Sequence, residues 1–259
     1  TGAASSAPRS TPAAPIWEGV YRQFREVPSR GPACDDDQWM SGYAESLRLL
    51  REAYASGGRL APSGYGEHHL LALLAVLAGR GRERLRIVDF GGALGSAFLH
   101  LIHQAPRLPD LRYLVVETEK MCAAGRNWWG PETRLQFATR VPAPPETADL
   151  VYVNSALQYI EDYAALLRSL CALQPSHILL ARLGAGSIES FVTAQVNVPG
   201  SVIPCWFLNA EEVRALLREA GYELLFENAT PWSYNVSNLP APCRIPGTLN
   251  MLFGRAGDP

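Results

Sequence analysis

The sequence has few of the features that mark metal-binding, disulfide-rich or nucleic-acid-binding proteins. Its five cysteines are odd in number, lie far apart and form no CxxC pair, which argues against a zinc site or a disulfide framework and favours reduced thiols. The formal net charge is only −2, so the overall charge gives no reason to expect nucleic acid as a partner. We therefore expect a cytoplasmic protein with no bound metal and no nucleic-acid partner.

Long apolar runs are missing as well. The longest covers residues 70–78, far below the roughly 20 residues that a membrane-spanning helix needs, and it predicts a short buried helix instead. With 47% hydrophobic and 19% charged residues, the composition is that of a soluble globular protein. A chain of 259 residues can form one large α/β domain, or a domain with a small appendage.

Two regions precede the main domain. Residues 1–15 are almost entirely small or turn-forming, which predicts a disordered tail. Residues 16–84 predict a helical cap, and its first apolar residues recur at helical spacing: Trp17, Val20, Tyr21 and Phe24. Three aspartates at 35–37 precede the next apolar stripe, as at the start of a helix. A further helix is predicted near residues 66–78.

From residue 85 onward, short apolar strands alternate with helices. This order predicts a parallel sheet in a main domain of residues 85–259. The last two strands are joined by proline-rich residues 231–246 rather than by a helix, so the last strand should return antiparallel. Residues 184–208 contain too much Val, Pro and Gly for one helix and predict a cover over the active site, with a plain structural loop as the alternative.

A glycine-rich loop follows the first of these strands and opens a helix, where α/β sheets bind nucleotide-like ligands. It reads Asp89-Phe90-Gly91-Gly92-Ala93-Leu94-Gly95. An acid at the strand end repels a pyrophosphate but suits a cationic ligand. S-adenosylmethionine carries an ammonium and a sulfonium and no phosphate. No Walker lysine follows the loop, which argues against a nucleotide triphosphatase. The sequence therefore predicts a site for S-adenosylmethionine.

Two further strand ends carry polar residues that should face the same crevice. Glu117 lies about 20 positions beyond the loop, the spacing expected for an acid that binds ribose hydroxyls. Asn154 and Ser155 follow the fourth strand and either contact the ligand or cap the next turn. The predicted cofactor-binding residues are Asp89, Phe90, Gly91, Gly92, Ala93, Gly95, Glu117, Asn154 and Ser155.

Together, the glycine loop, Glu117 and residues 149–159 resemble the corresponding motifs of the class I methyltransferases. The resemblance covers about residues 85–255. It implies a Rossmann-like three-layer sandwich whose mostly parallel sheet has seven strands, the last of them antiparallel, with the helical cap added at the N-terminus. It also implies backbone contacts to the cofactor from residues 91–95, a contact between Glu117 and the ribose, and adenine packing near residues 137–140.

A second set of segments resembles a narrower group, a bacterial methyltransferase family associated with cell-surface polysaccharide gene clusters. The segments are Trp17-Glu18-Gly19-Val20-Tyr21, the Asp-Phe-Gly-Gly loop, Leu157-Gln158-Tyr159, and Gln195 ahead of Pro204-Cys205-Trp206-Phe207. This narrower resemblance lends little about the substrate, and the predicted acceptor is a small molecule or a saccharide that is methylated on oxygen or nitrogen.

Methyl transfer is an in-line displacement in which positioning supplies much of the catalysis, although an oxygen or nitrogen acceptor can also require a base. His68 and His69 in the cap are the candidates for that base, with a structural role as the alternative. Arg182 ends the fifth strand and can hold an anionic acceptor. The candidates for the acceptor pocket are Tyr159, Gln195, Trp206 and Tyr234.

The cap itself has two possible roles. Its apolar stripes are too few for an independent core, so it must pack on the main domain, either over the cofactor crevice or on the back of the sheet. If it covers the crevice, the run Tyr65-Gly66-Glu67-His68-His69 should lie nearest the ligand.

Two other functions share these features. A nicotinamide-dependent or flavin-dependent oxidoreductase has the same fold but needs phosphate contacts at the loop, which Asp89 disfavours. A catalytically silent partner protein that binds S-adenosylmethionine needs no catalytic residue at all. Ligand titration separates the first function from a methyltransferase, and a turnover assay separates the second.

Overall fold

The chain folds around a seven-stranded sheet, seen in a computed structural model that describes residues 14–57, 68–231 and 235–257. Most of the predicted tail, residues 1–13, lies outside the described residues. The strands in chain order are β1 (Trp17–Tyr21), β2 (Arg84–Phe90), β3 (Asp110–Val116), β4 (Leu135–Ala138), β5 (Leu150–Asn154), β6 (His177–Leu183), β7 (Ala185–Gly186), β8 (Phe191–Gln195), β9 (Ile203–Asn209), β10 (Tyr222–Pro231) and β11 (Gly247–Arg255). The α-helices are α1 (Asp37–Ala55), α2 (His68–Ala78), α3 (Ser96–Gln104), α4 (Glu119–Trp129), α5 (Tyr163–Cys171) and α6 (Ala210–Glu219).

The large sheet has the strand order β10-β11-β6-β5-β2-β3-β4. Strands β2 to β6 run parallel to one another, and β11 lies antiparallel between β6 and β10. The predicted seven-stranded, mostly parallel sheet with an antiparallel last strand is therefore confirmed. Because the central strands are in register, the carboxyl ends of β2, β3, β5 and β6 meet along one side of the sheet, which we call the carboxyl edge.

Helices cover both faces of this sheet and give the expected three layers. Apolar side chains of β2 alternate between the faces, with Ile87 packed toward α2 and α3 and Val88 packed toward α5 and α6. Such alternation follows from the period of two in a strand. The strands are apolar on both sides because parallel sheets are buried on both faces.

Side-chain caps fix the starts of two helices that the sequence predicts. Asp36 accepts hydrogen bonds from the amides of Gln38 and Trp39 at 2.9 and 3.1 Å, so the aspartates begin α1. Asn209 accepts from the amides of Glu211 and Glu212 at the start of α6. These contacts satisfy amides that the first helical turn leaves without partners.

A second, four-stranded sheet has the order β1-β8-β9-β7, and we call it the accessory sheet. The helix predicted around residues 17–24 is wrong, because Trp17–Tyr21 forms strand β1, which pairs antiparallel with β8. The helical spacing of its apolar residues misled the prediction, since the strand that completes the pairing lies far along the chain. The cover segment 184–208 contributes the other three strands rather than an irregular loop.

Candidate active site

The glycine loop is held tightly against the carboxyl edge. Gly91 has φ +74° and donates its amide to the carbonyl of Val116 at 2.9 Å. A Cβ at this position would lie 2.3 Å from the Cβ of Ala156, which follows β5. The sequence therefore requires glycine where the loop passes between the ends of β3 and β5.

The acid at the end of β2 lies directly beneath the loop. Asp89 is only 1% exposed, and its Oδ2 accepts a hydrogen bond from the Tyr113 hydroxyl at 2.7 Å. A Cβ on Gly92 would come within 2.3 Å of the same oxygen. Close packing of loop and carboxylate explains the second glycine of the pair. The neighbouring Phe90 packs toward α5 and α6 on the opposite face.

Glu117 reaches the loop from the end of β3. Its Oε1 accepts the amide of Ala93 at 3.1 Å, and its Oε2 accepts the amide of Thr118 at 3.0 Å. The structure thus brings together the acids and the glycine loop that the sequence spacing singles out. Gly95, in the left-handed conformation with φ +84°, ends the loop and precedes α3.

The end of β5 forms the third wall of this site. Ser155 adopts φ +55° and donates its amide to Ala181, while its hydroxyl accepts the side-chain amide of Gln158 at 3.2 Å. The carbonyl oxygens of the Asn154 and Gln158 side chains are buried and, within the described ranges, have no hydrogen-bond partner. Asp89 Oδ1 is also buried and has no hydrogen-bond partner within the described ranges.

These three oxygens lie at the ends of two adjacent strands, beside a loop that fits a cationic ligand. Buried polar atoms are nearly always paired in folded proteins. Three acceptors that lack donors in one crevice therefore indicate a ligand that carries donors. The ammonium group and hydroxyl groups of S-adenosylmethionine are donors of that kind, so the residues present fit this cofactor.

The accessory sheet stands over the same edge and shares a hydrogen bond with it. The Tyr159 hydroxyl, just after β5, donates to Gln195 Oε1 at 2.7 Å. Gln195 in β8 donates in turn to Asn197 Oδ1 at 2.7 Å. Tyr159 also packs with the apolar cluster beneath the accessory sheet, which includes Trp17 and Phe207. Two of the four predicted acceptor-pocket residues are thus in direct contact.

Trp206 lies elsewhere. It pairs across the accessory sheet with Val192, whereas Gln195 pairs with Ile203 and Trp17. Because cross-strand neighbours share a face and successive residues alternate, Trp206 and Gln195 project from opposite faces. On its own face, Trp206 lines a surface pocket of about 280 Å³ with four other residues: Gln23, Phe24, Arg25 and Glu161. The fourth candidate, Tyr234, lies outside the described residues.

The N-terminal segment crosses the carboxyl edge from the accessory sheet to β3. Arg30 forms a bridge with Val202 in the accessory region. Farther along, the Asp35 carboxylate accepts the Thr118 hydroxyl at 2.6 Å, and Lys120 contacts Asp37 at 2.7 Å. Thr118 directly follows Glu117, so this segment passes beside the end of β3 and the start of α4.

A family model for a methyltransferase domain matches residues 63–226 of the chain. The chain belongs to the methyltransferase-domain family. This membership makes it an S-adenosylmethionine-dependent methyltransferase and decides against the oxidoreductase. No curated protein matches the methyltransferase in sequence.

Solved structures agree in fold. An S-adenosylmethionine-dependent methyltransferase from Clostridium acetobutylicum is similar with a TM-score of 0.51 and 9% identity, over 83% of this chain and 99% of that one. Two others are similar at lower scores. One from Mesorhizobium loti has 19% identity and a TM-score of 0.47 over 71% and 98% of the two chains. The 1,6-didemethyltoxoflavin-N1-methyltransferase of Burkholderia thailandensis has 14% identity and a TM-score of 0.49 over 94% of both. At these identities the likeness concerns the fold alone.

Two acids of the methyltransferase lie beside the loop, Asp89 buried and Glu117 half-buried. Burial raises the pKa of Asp89 to about 7, while the Tyr113 hydrogen bond lowers it and the nearby Glu117 raises it. Burial also raises the pKa of Glu117, against the amides of Thr118 and Ala93, which lower it. A bound cation favours the charged form of a neighbouring carboxyl group. Both acids are therefore placed to gain from a cationic ligand.

The predicted catalytic residues lie on other elements, His68 and His69 at the start of α2 and Arg182 near the end of β6. His68 is buried with its Nδ1 3.0 Å from the Tyr152 hydroxyl, and His69 contacts Gln104 at the last residue of α3. Burial, with the charges of His100, His69 and Arg182, lowers the pKa of His68 to about 3. Arg182 is thus near His68, and its backbone adopts φ +50°.

Sequence reasoning missed Tyr113 and Gln158. Tyr113 is in β3, on the same sheet face as Asp89, and strand alternation could have placed it there once the parallel register was known. Within the described ranges, no three His, Cys, Asp or Glu side chains are placed to hold a metal ion. None of the helices described is long and apolar enough to cross a membrane.

Proposed function

We propose that this methyltransferase transfers the methyl group of S-adenosylmethionine to an oxygen or nitrogen atom of a small polar acceptor, such as a saccharide, held beneath the accessory sheet. The observation that carries the proposal is the hydrogen bond between Tyr159 and Gln195. It joins the accessory sheet to the end of β5, next to the glycine loop. The accessory sheet at that place would leave room at the glycine loop for a small acceptor molecule but not for a folded protein.

On the cofactor side, residues 91–95 would contact the cofactor through their backbone, and Glu117 would bind its ribose. Asp89, Asn154 and Ser155 would supply acceptors for its donors. Support for Asp89 and Asn154 comes from their buried side-chain oxygens, which lack donors within the described part of the chain. When bound, S-adenosylmethionine supplies a methyl group on a cationic sulfur, which leaves without needing a proton.

On the acceptor side, Tyr159 and Gln195 would orient the acceptor and exclude water. The hydrogen bonds of Gln195 to Tyr159 and Asn197 fix its side-chain amide in one orientation. Such fixed groups raise the rate by holding the reacting atoms in line. A saccharide offers hydroxyl groups that these polar side chains can bind.

The N-terminal cap, residues 16–84, would close the crevice from one side. In support, its residues contact both the accessory sheet and the helix start that follows Glu117. Residues 65–67, which were expected nearest the ligand, lie outside the described residues. The four free cysteines among the described residues suit the reducing cytoplasm, where we place the protein.

His68 and Arg182 would form a second polar group near the acceptor, with His68 uncharged at neutral pH because its pKa is lowered to about 3. A group with so low a pKa is a weak base. We therefore expect His68→Gln to lower the turnover number by about tenfold or less, with the affinity for S-adenosylhomocysteine unchanged. A loss of a thousandfold would instead make His68 the obligatory base.

The test is a turnover assay with S-adenosylmethionine carrying a labelled methyl group. The acceptors are a panel of sugars, amines and phenols, with denatured and folded proteins as comparison. We expect label in a small hydroxyl or amino compound and formation of S-adenosylhomocysteine. Label found only in protein would overturn the acceptor class. Binding of S-adenosylhomocysteine without turnover on any acceptor would favour the silent partner protein.

A further inference from the structure

One hydrogen bond to Asp89 comes from a residue outside the glycine loop. The Tyr113 hydroxyl donates to its Oδ2 at 2.7 Å, and both residues are buried at 1% exposure. Tyr113 is in the middle of β3, two residues before the strand reaches Val115, the register partner of Asp89. A tyrosine side chain is long enough to reach along the sheet to the carboxylate.

This contact decides which oxygen of Asp89 remains for a ligand. Oδ2 is bound to Tyr113, and Oδ1 is buried and lacks a partner among the described residues. The carboxylate is pressed against Gly92, where a Cβ would come within 3.1 Å of both oxygens. Because Tyr113 fixes the side chain, Oδ1 is held at the base of the loop.

The surroundings of Asp89 make its charge depend on this hydrogen bond. Its neighbour across β5 is Tyr152, whose hydroxyl is 3.0 Å from His68, and its neighbour across β3 is the apolar Val115. Glu117, at the end of β3, acts on it with a like charge. Tyr113 thus supplies a hydrogen bond that favours the charged carboxylate, whereas burial and Glu117 oppose that charge.

We propose that Tyr113 is a positioning residue for the cofactor, acting through Asp89. Its hydroxyl holds the carboxylate in place and in the charged form beneath the glycine loop, where the carboxylate attracts the ammonium group of the cofactor. This inference rests on the proposed binding of S-adenosylmethionine at residues 91–95. It predicts an effect on ligands that carry the ammonium and none on ligands that lack it.

The experiment compares two ligands in calorimetric titration of the full chain. S-adenosylhomocysteine carries the amino-acid portion, and 5′-methylthioadenosine has the same nucleoside without it. We expect Tyr113→Phe to weaken S-adenosylhomocysteine by about tenfold near pH 7.5, as for a hydrogen bond to a charged group. The affinity for 5′-methylthioadenosine should change by less than about twofold.

The matched control is Tyr222→Phe. Tyr222 is also buried, and its hydroxyl donates to the carbonyl of Pro175 at 2.9 Å. It begins β10, at the opposite edge of the sheet from the glycine loop. Both ligands should bind this variant as they bind the original protein.

The pH profile separates positioning from a structural defect. Burial raises the pKa of Asp89 to about 7 while Tyr113 lowers it, so Tyr113→Phe should raise it further. For S-adenosylhomocysteine, we divide the dissociation constant of Tyr113→Phe by that of the original protein at each pH. The titration of the ligand's own amino group affects both constants equally and drops out of this ratio. We expect this ratio to fall as the pH rises above 7, because the Asp89 carboxyl group then becomes charged in the variant as well as in the original protein. A ratio independent of pH would overturn the proposal.

A cycle with Asp89→Asn gives a further test, in which the single Asp89→Asn variant does not depend on how well Tyr113→Phe folds. If Tyr113 acts through Asp89, Tyr113→Phe should have no additional effect on S-adenosylhomocysteine affinity in the Asp89→Asn background. An unchanged affinity in Asp89→Asn alone would also overturn the proposal. Failure of the original protein to bind either ligand would contradict the cofactor site itself, which is a different result.

Discussion

The carboxyl edge and the accessory sheet face each other but are built differently. At the carboxyl edge, backbone turns and the acids Asp89 and Glu117 form the proposed cofactor site, with Gly91 and Glu117 held by main-chain contacts. In the accessory sheet, side chains such as Tyr159 and Gln195 make the contacts. Changes on the first side should therefore alter cofactor affinity, and changes on the second should alter acceptor affinity. Four predictions test this division, from the largest expected effect to the smallest.

Gly91→Ala should have one of the two largest effects. Its Cβ would lie 2.3 Å from that of Ala156, so the loop must move away from β5. Overpacking of this kind costs about 1–3 kcal/mol, and we expect a comparable loss of binding free energy for S-adenosylhomocysteine in titration. Gly81→Ala is the control, since Gly81 has φ +72° but open space around it. Equal affinities in the two variants would contradict the role of the contact.

Glu117→Ala should weaken S-adenosylhomocysteine by about 1.5–3 kcal/mol, the usual range for hydrogen bonds to a charged group. Glu117 is half-buried beside the loop, and one of its carboxylate oxygens accepts the amide of Ala93. Glu119→Ala removes an acid of similar position whose side chain is 80% exposed, and it should leave the affinity unchanged. Unaltered binding in Glu117→Ala would remove Glu117 from the site.

Tyr159→Phe should weaken acceptor binding rather than cofactor binding. Loss of its hydrogen bond to Gln195 should raise the KM for the acceptor by about fivefold, as for a net contribution near 1 kcal/mol. The affinity for S-adenosylhomocysteine should stay the same. Tyr163→Phe, whose hydroxyl is 3.5 Å from Glu212, serves as the control. A matching loss of cofactor affinity in Tyr159→Phe would mean that the two sides are not separate.

The smallest effect should follow Lys120→Ala. Lys120 joins α4 to the N-terminal segment through an exposed ion pair with Asp37. Exposed ion pairs contribute little and are screened by salt. We expect a fall in the melting temperature of about 2 °C or less, which vanishes at 1 M salt. A larger fall that persists in salt would show that the N-terminal segment depends on this contact.

The core and the accessory sheet also differ in how far the sequence predicts them. Strands such as β2 and β5 are apolar on both faces and end at turn residues, so the local pattern indicates them. Strands β1, β8 and β9 mix polar and apolar residues, and their partners lie in distant segments. No local pattern records such a pairing, and for this reason Trp17 and Tyr21 were assigned to a helix.

The residues of the candidate site also differ in how far the sequence predicts them. Asp89, the glycines and Glu117 were found from spacing, because a loop after a strand has a fixed relation to the next strand end. Tyr113 was missed, since its contact with Asp89 depends on the register between two strands. Trp206 was grouped with Gln195 although they face opposite sides of the accessory sheet, which only the pairing of β8 with β9 reveals.

The pairing of β1 with β8 also constrains the order in which parts of the protein can fold. Thr193 binds the carbonyl of Glu18 across a separation of 175 residues. During synthesis β1 emerges first, but its partner strand exists only after β2 to β6 have been translated. Contacts so distant in sequence form slowly, because a long loop must close before they stabilise the fold. The strands that flank the glycine loop can therefore fold before the accessory sheet assembles, and β1 can pair only after β8 has been translated.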